Sequence, residues 1–163
     1  MSGASSWSFR EDDSRQIQTI LSAFLGESNA RTALIVDRTG QMVATVGESP
    51  VFDQTAFASL TAADFSANDQ LARMLGEPEF GALFHQGERE SMYLADVARR
   101  VILVVLFDNR TTLGLVKLRV RSTVTRLSEV FTDMFNREGT SAPGVETEFL
   151  GEAEDELDKL FGA

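Results

Sequence analysis

Cysteine is absent from this chain. That excludes disulfides and thiolate-ligated metal sites, and it suits a reducing compartment. Histidine occurs once, at His85, so a multi-histidine metal site is excluded as well. No Gly-Lys pair occurs anywhere. The phosphate-cradling loop G-x-x-x-x-G-K-[ST] is therefore missing, and with it the usual means of holding a nucleotide. Long hydrophobic runs are missing too. The longest, VILVVLF at 101–107, is far short of the roughly 20 residues that a membrane span needs. The opening MSGASSWSFREDD has no basic stretch followed by an apolar one, so no signal peptide and no membrane insertion are expected. Positive charge is in deficit, at a net −10, which argues against nucleic acid as a partner.

The acidity is concentrated. From Glu138 to the end there are eight acids and one base, while residues 1–137 carry 17 acids and 14 bases. A nearly neutral body thus bears an acidic appendage. A hydrophobic content of 43% supports one packed domain.

Ser8 and Glu11 fit a capping box. Ile17, Ile20, Leu21, Phe24 and Leu25 then recur at helical spacing up to Gly26, read as the stop. Two short strands, Ala33–Val36 and Met42–Val46, flank Asp37-Arg38-Thr39-Gly40. Asp can bond its own backbone and Gly supplies positive φ, so this is a hairpin connection. Strand–Asp-x-x-Gly also occurs beside GTPase nucleotide sites, but without a P-loop Asp37 has no nucleotide to serve, and it reads as a turn residue. Further on, FGALFH (80–85) and SMYLADV (91–97) flank a turn at Gly87, and RVILVVLF (100–107) reads as a central strand. Leu113, Leu115, Leu118 and Val120 could alternate in a strand, but Val116, Val120, Val124, Leu127, Phe131 and Met134 keep helical spacing for longer. This favours a helix from about Thr112 to Asn136, with Gly139 as the stop and Lys117, Arg119, Arg121 and Arg126 on the solvated side.

Residues 54–75 read as a helix capped by Asp53. Phe57, Leu60, Leu71 and Leu75 fall on one side and form the expected buried stripe, although Asp64 and Asn68 interrupt it. Thr61 with Asp64 could form a second capping box at which the helix restarts. The opposite side carries Ser59, Ala62, Ala63, Ser66, Gln70 and Arg73, small residues with a single charge. A solvated face would hold more Lys and Glu, so this side reads as a contact surface.

After the linker GTSAPGVETE, the stretch FLGEAEDELDKLFGA places Leu150, Ala153, Leu157, Leu160 and Phe161 on one face of a short amphipathic segment. Burying those side chains grosses on the order of 8–12 kcal/mol. Ordering about a dozen residues costs at least as much, so the segment needs something to receive it. Chemistry is scarce. His85 has no G-x-S-x-G and no cysteine to work with. EDD (11–13) and EAEDELD (152–158) lack the calcium-loop pattern. Neither a cofactor nor a metal is expected, and Trp7 and Tyr93 read as packing residues.

LIVDRTGQMVATVG, the helix ending LARMLGE and VILVVLFDNRTTLGLVKLRVR, in this order of elements, resemble the Roadblock/dynein light-chain domain over residues 8–137. FDNRTTLGLV and SLTAADF, with the acidic tail, resemble its bacterial MglB-type branch. The resemblance implies an α+β, α/β-sandwich fold of the Roadblock/longin kind, α-β-β-α-β-β-β-α, with a five-stranded antiparallel sheet and helices on both faces. It implies a homodimer paired along an edge at Gly81, Leu83 and His85. It also implies a platform for a small Ras-like GTPase of the MglA type on Ser59, Ala62, Ala63, Ser66, Ala67, Gln70 and Arg73, two protomers per GTPase being one stoichiometry. The chain would be a regulator rather than an enzyme, accelerating GTP hydrolysis in bacterial cell polarity and gliding motility. It would do so by aligning the partner's switch loops rather than by an arginine finger, Arg73 and Arg110 being the arginines to suspect. Its location would be cytoplasmic, with the cell pole included. Residues 138–148 would be a linker and 149–161 a docking segment carrying Leu150, Leu157, Leu160 and Phe161. The alternatives are a dimeric scaffold that tethers a GTPase without rate effect and a small hydrolase built on His85.

Overall fold

The computed structural model describes residues 9–140. Ser8, Trp7 and the docking segment 149–161 with Leu150, Leu157, Leu160 and Phe161 lie outside the described residues. The elements are α1 (Glu11–Ser28), β1 (Thr32–Asp37), β2 (Met42–Gly47), α2 (Gln54–Met74), β3 (Ala82–Gln86), β4 (Ser91–Val97), β5 (Val101–Phe107) and α3 (Leu113–Thr140). They form an antiparallel sheet of order β2-β1-β5-β4-β3.

Strand alternation divides the core in two. Ala33, Ile35, Tyr93, Ala95, Leu103 and Val105 point to one face, where Ile17, Leu21 and Phe24 of α1 and Val116, Val120, Leu127, Phe131 and Met134 of α3 cover them. Leu34, Val36, Leu94, Ile102 and Val104 point to the other face, where Ala58 and Phe65 of α2 pack. Both layers come from the same five strands, which explains why β5 is apolar at nearly every position. β1 is buried along its whole length for the same reason.

Several boundaries differ from the sequence reading. α1 begins at Glu11 with Arg10 as N-cap, and the Asp13 carboxylate takes the Arg10 backbone N–H at 3.0 Å. The Ser8–Glu11 box is therefore displaced toward the C-terminus by two residues. Gly26 does not end α1, because Asn29 supplies the left-handed C-cap conformation at φ 59. α2 is continuous, with no restart at Thr61, and Thr61 is buried against the sheet. α3 is capped by Thr112, whose hydroxyl accepts from the Leu115 N–H at 3.2 Å. It runs through Gly139 to Thr140, so residues 138–140 of the expected linker are helical.

The Asp37–Gly40 turn closes as expected. One carboxylate oxygen of Asp37 accepts from Thr39 N–H at 2.9 Å, Thr39 O–H at 2.6 Å and Gln41 N–H at 3.1 Å. Gly40 has φ +97, and a Cβ there would lie 3.2 Å from the Ser59 Cα. Glycine is required at this turn both for its conformation and for the close approach to α2.

Candidate functional site

Among the described residues, α2 is the only helix on its face of the sheet, which makes its outer surface the place to look for function. Asp53 begins it, accepting from Thr55 N–H at 3.0 Å and Ala56 N–H at 3.3 Å. The face it buries is Ala58, Thr61, Phe65, Asn68 and Ala72, a stripe at spacings of three and four.

The expected stripe of Phe57, Leu60, Leu71 and Leu75 is not the buried one. Leu60 is 71% exposed, Leu71 56% and Leu75 74%, and Met74 beside them is 82% exposed; Phe57 is half-buried. Small residues won the inward position. Ala58, Thr61 and Ala72 let the backbone settle close to the sheet, and Phe65 alone supplies bulk. The two polar interruptions then resolve differently. Asn68 is buried, with its side-chain N–H2 lacking a hydrogen-bond partner among the described residues. Asp64 sits half-exposed on the flank of α2 toward β3 and holds His85 Nε2 at 2.6 Å.

The contact residues expected on α2 are presented to solvent. Ser59, Ala63, Ser66, Ala67, Gln70 and Arg73 are exposed, and Ala62 is half-buried. Ser59 and Ala62 have a second reason to be small, since the Gly40 turn lies against them. That leaves Ala63, Ser66, Ala67 and Gln70 as the open centre of the face.

The flank toward β3 carries what sequence reasoning missed. Leu60 and Leu71 lie one turn before and two turns after Asp64, so they share its side of the helix. Phe80 is also exposed, just before β3. β3 is an edge strand. Of the expected edge residues, Leu83 is half-buried against the α2 layer and His85 is exposed. Gly81 precedes the strand proper, and its carbonyl accepts from Asp96 N–H at 3.2 Å. His85 therefore ties β3 to α2.

On the other flank, a cleft of about 460 Å³ opens between α2 and the β1–β2 and β4–β5 turns, lined by Arg38, Ser66, Asp69, Arg73, Glu79 and Arg99 among others. Arg38 bonds Asp69 at 2.7 Å, pairs also with Asp96, and lies 4.8 Å over the Phe65 ring. Burial pushes its pKa down, and the two carboxylates outweigh this and raise it.

The suspected arginines differ in their freedom. Arg110 is engaged by Asp108 at 2.9 Å and by Glu48 at 2.9 Å. Those hydrogen bonds raise its pKa and lower those of Asp108 and Glu48. Arg73 has no carboxylate partner among the described residues. Among the described residues no group of acids and histidine could hold a metal ion, and no helix is long and apolar enough to cross a membrane.

The family profile of the Roadblock/LC7 domain matches residues 16–107. Among solved structures, MglB from Myxococcus xanthus is 39% identical, with a TM-score of 0.69, over 72% of this chain and 96% of that one. The gliding protein MglB from Thermus thermophilus is 30% identical, with a TM-score of 0.72, over 78% and 96%. A structure described as MglB with a tetrameric arrangement is 29% identical, with a TM-score of 0.75, over 80% and 98%. Comparison with curated protein sequences yields no significant match.

Proposed function

The chain belongs to the Roadblock/LC7 domain family, and from that premise we propose that it is a homodimeric activator of a small Ras-like GTPase of the MglA type, itself without an active site. The carrying observation is the uncovered outer face of α2. Ala63, Ser66, Ala67 and Gln70 are exposed and small or uncharged, where an ordinary solvated face would be dense in long charged side chains. Small residues let a partner's backbone approach closely. The similarity to MglB proteins over most of the chain directs the choice of partner class.

The second copy belongs on the β3 side. An edge strand offers unpaired backbone groups, and the exposed Leu60, Leu71 and Phe80 beside it form apolar area that pairing would cover. Pairing at Gly81, Leu83 and His85 brings two α2 helices together as one platform.

The activation is assigned to alignment of the GTPase's own switch loops, a population shift. Arg110 is committed to Asp108 and Glu48, which leaves it poorly placed to act as a finger. Residues 149–161 supply a second, tethered contact. The site of action is the cytoplasm, with the cell pole as one location.

The test is hydrolysis of GTP by candidate Ras-like GTPases mixed with the protein. Acceleration carries the reading. Binding without acceleration assigns the scaffold function instead, and absence of both overturns the platform altogether.

A further inference from the structure

We propose that the acidic run Glu152–Asp158 of the chain's own tail docks in the arginine-lined cleft between α2 and the β1–β2 and β4–β5 turns. Arg38 uses its terminal nitrogens on Asp69 and Asp96, while its Nε is buried without a partner among the described residues. Arg73 and Arg99 line the same cleft and have no carboxylate partner among the described residues, against one unpaired acid there, Glu79. Arg99 is held at φ 59 in the β4–β5 turn, so its position is set by the fold.

The tail leaves from the same end of the molecule. Phe135, in the last two turns of α3, lies under the Arg100 guanidinium at 4.6 Å, and Arg100 is the neighbour of Arg99. α3 ends at Thr140. The residues that follow, 141–163, carry seven acids and one base. From Thr140 to Glu152 the chain spans up to ~40 Å when extended. One helix layer and the sheet are each about 10 Å thick, so the cleft is within reach. Tethering gives the acids a high effective concentration there, and the guanidiniums of Arg73 and Arg99, which pair with no carboxylate among the described residues, supply local complementarity to them. Ala62, Ser66 and Arg73 also belong to the α2 face assigned to the GTPase. A docked tail and a docked GTPase would therefore exclude one another; that consequence rests on the proposed function, whereas the docking itself does not.

The absence of cysteine makes the test direct, because Ala153→Cys provides a unique site for a nitroxide label in the full-length, 15N-labelled protein without any GTPase. Backbone amide signals of Thr39, Ser66, Arg73 and Arg99 are expected to broaden at low salt. They should recover near 1 M salt, where screening shortens to about 3 Å. They should also recover in Arg73→Glu with Arg99→Glu, and equally in Glu154→Gln with Asp155→Asn and Glu156→Gln, which leaves the body untouched. Full signal at low salt overturns the docking, as does broadening that survives both sets of substitutions. Broadening seen only between copies, in a mixture of spin-labelled unenriched and unlabelled 15N chains, overturns docking by the chain's own tail.

Discussion

A guanidinium already shared between two carboxylates gives up those bonds before it can serve a phosphate. Arg110 is in that position, bridging Asp108 and Glu48 across the end of the sheet. Arg73 pairs with no carboxylate among the described residues and lines the cleft beside α2. Arg73→Ala and Arg110→Ala are each expected to lower stimulated hydrolysis by far less than the factor of about 10³ that loss of a finger produces. Single-turnover hydrolysis at saturating protein measures this, and a thousandfold loss in either variant would reinstate the finger. Asp37 makes the complementary point about chemistry in a turn. All three bonds of its engaged oxygen are local, so the residue that looks like a nucleotide ligand in the sequence is occupied in closing β1 onto β2.

At the scale of elements, α1 and α3 are joined at one end by Asp13 and Arg137 at 2.5 Å. Burial pushes the Asp13 carboxyl up, but the Arg137 hydrogen bond and the Arg10 backbone N–H outweigh it, so its pKa lies below the ordinary value. A depressed carboxylate contributes stability above its unfolded pKa of about 3.9, and loses it as pH falls through the lower folded value. Arg137→Ala is expected to cost about 1–3 kcal/mol at neutral pH. Thermal melts should show the gap between variant and parent closing below pH 4; a gap that persists in acid would mean the pair contributes packing rather than charge. On the opposite layer, Ser66→Arg with Gln70→Arg is expected to abolish GTPase binding while leaving fold and dimer intact. The two long cations would block close approach and add desolvation cost. Circular dichroism, sizing and a pull-down check it, and unchanged binding with an intact fold would put the platform on another face.

For the whole molecule, the body and the tail are separable in composition, and their contributions should separate in experiment. Removing 141–163 is expected to leave melting and dimer intact while weakening GTPase binding, the loss of the tethered contact outweighing the release of the cleft, or altering nucleotide exchange. Leu157→Ala with Leu160→Ala should have nearly the same effect at unchanged charge. Equal binding and exchange in parent, truncation and double variant would leave the tail no role at the GTPase. If only the truncation has an effect, the acids act and the leucines do not.

The order of elements, the five strands, the Asp37–Gly40 turn and the inward faces of α1 and α3 were all legible in the sequence. The helix faces rest on periodicity, since Ile17, Leu21 and Phe24, or Leu127, Phe131 and Met134, leave a helix one apolar side to bury, whereas the turn rests on the local chemistry of Asp37 and Gly40. The orientation of α2 was decided by tertiary structure. Its sequence offers two candidate inward faces, one bulky through Leu60, Leu71 and Leu75, the other slight through Ala58, Thr61 and Ala72, with Phe65 between them. Hydrophobicity alone favours the first. The fold takes the second because Gly40 presses against Ser59, Arg38 reaches Asp69 and His85 reaches Asp64. These three long-range constraints join residues 19 to 31 positions apart, and no local periodicity encodes them. With α2 anchored in this way, its leucines are left outside, and the cleft of Arg38, Arg73 and Arg99 forms where four separate segments of the chain meet.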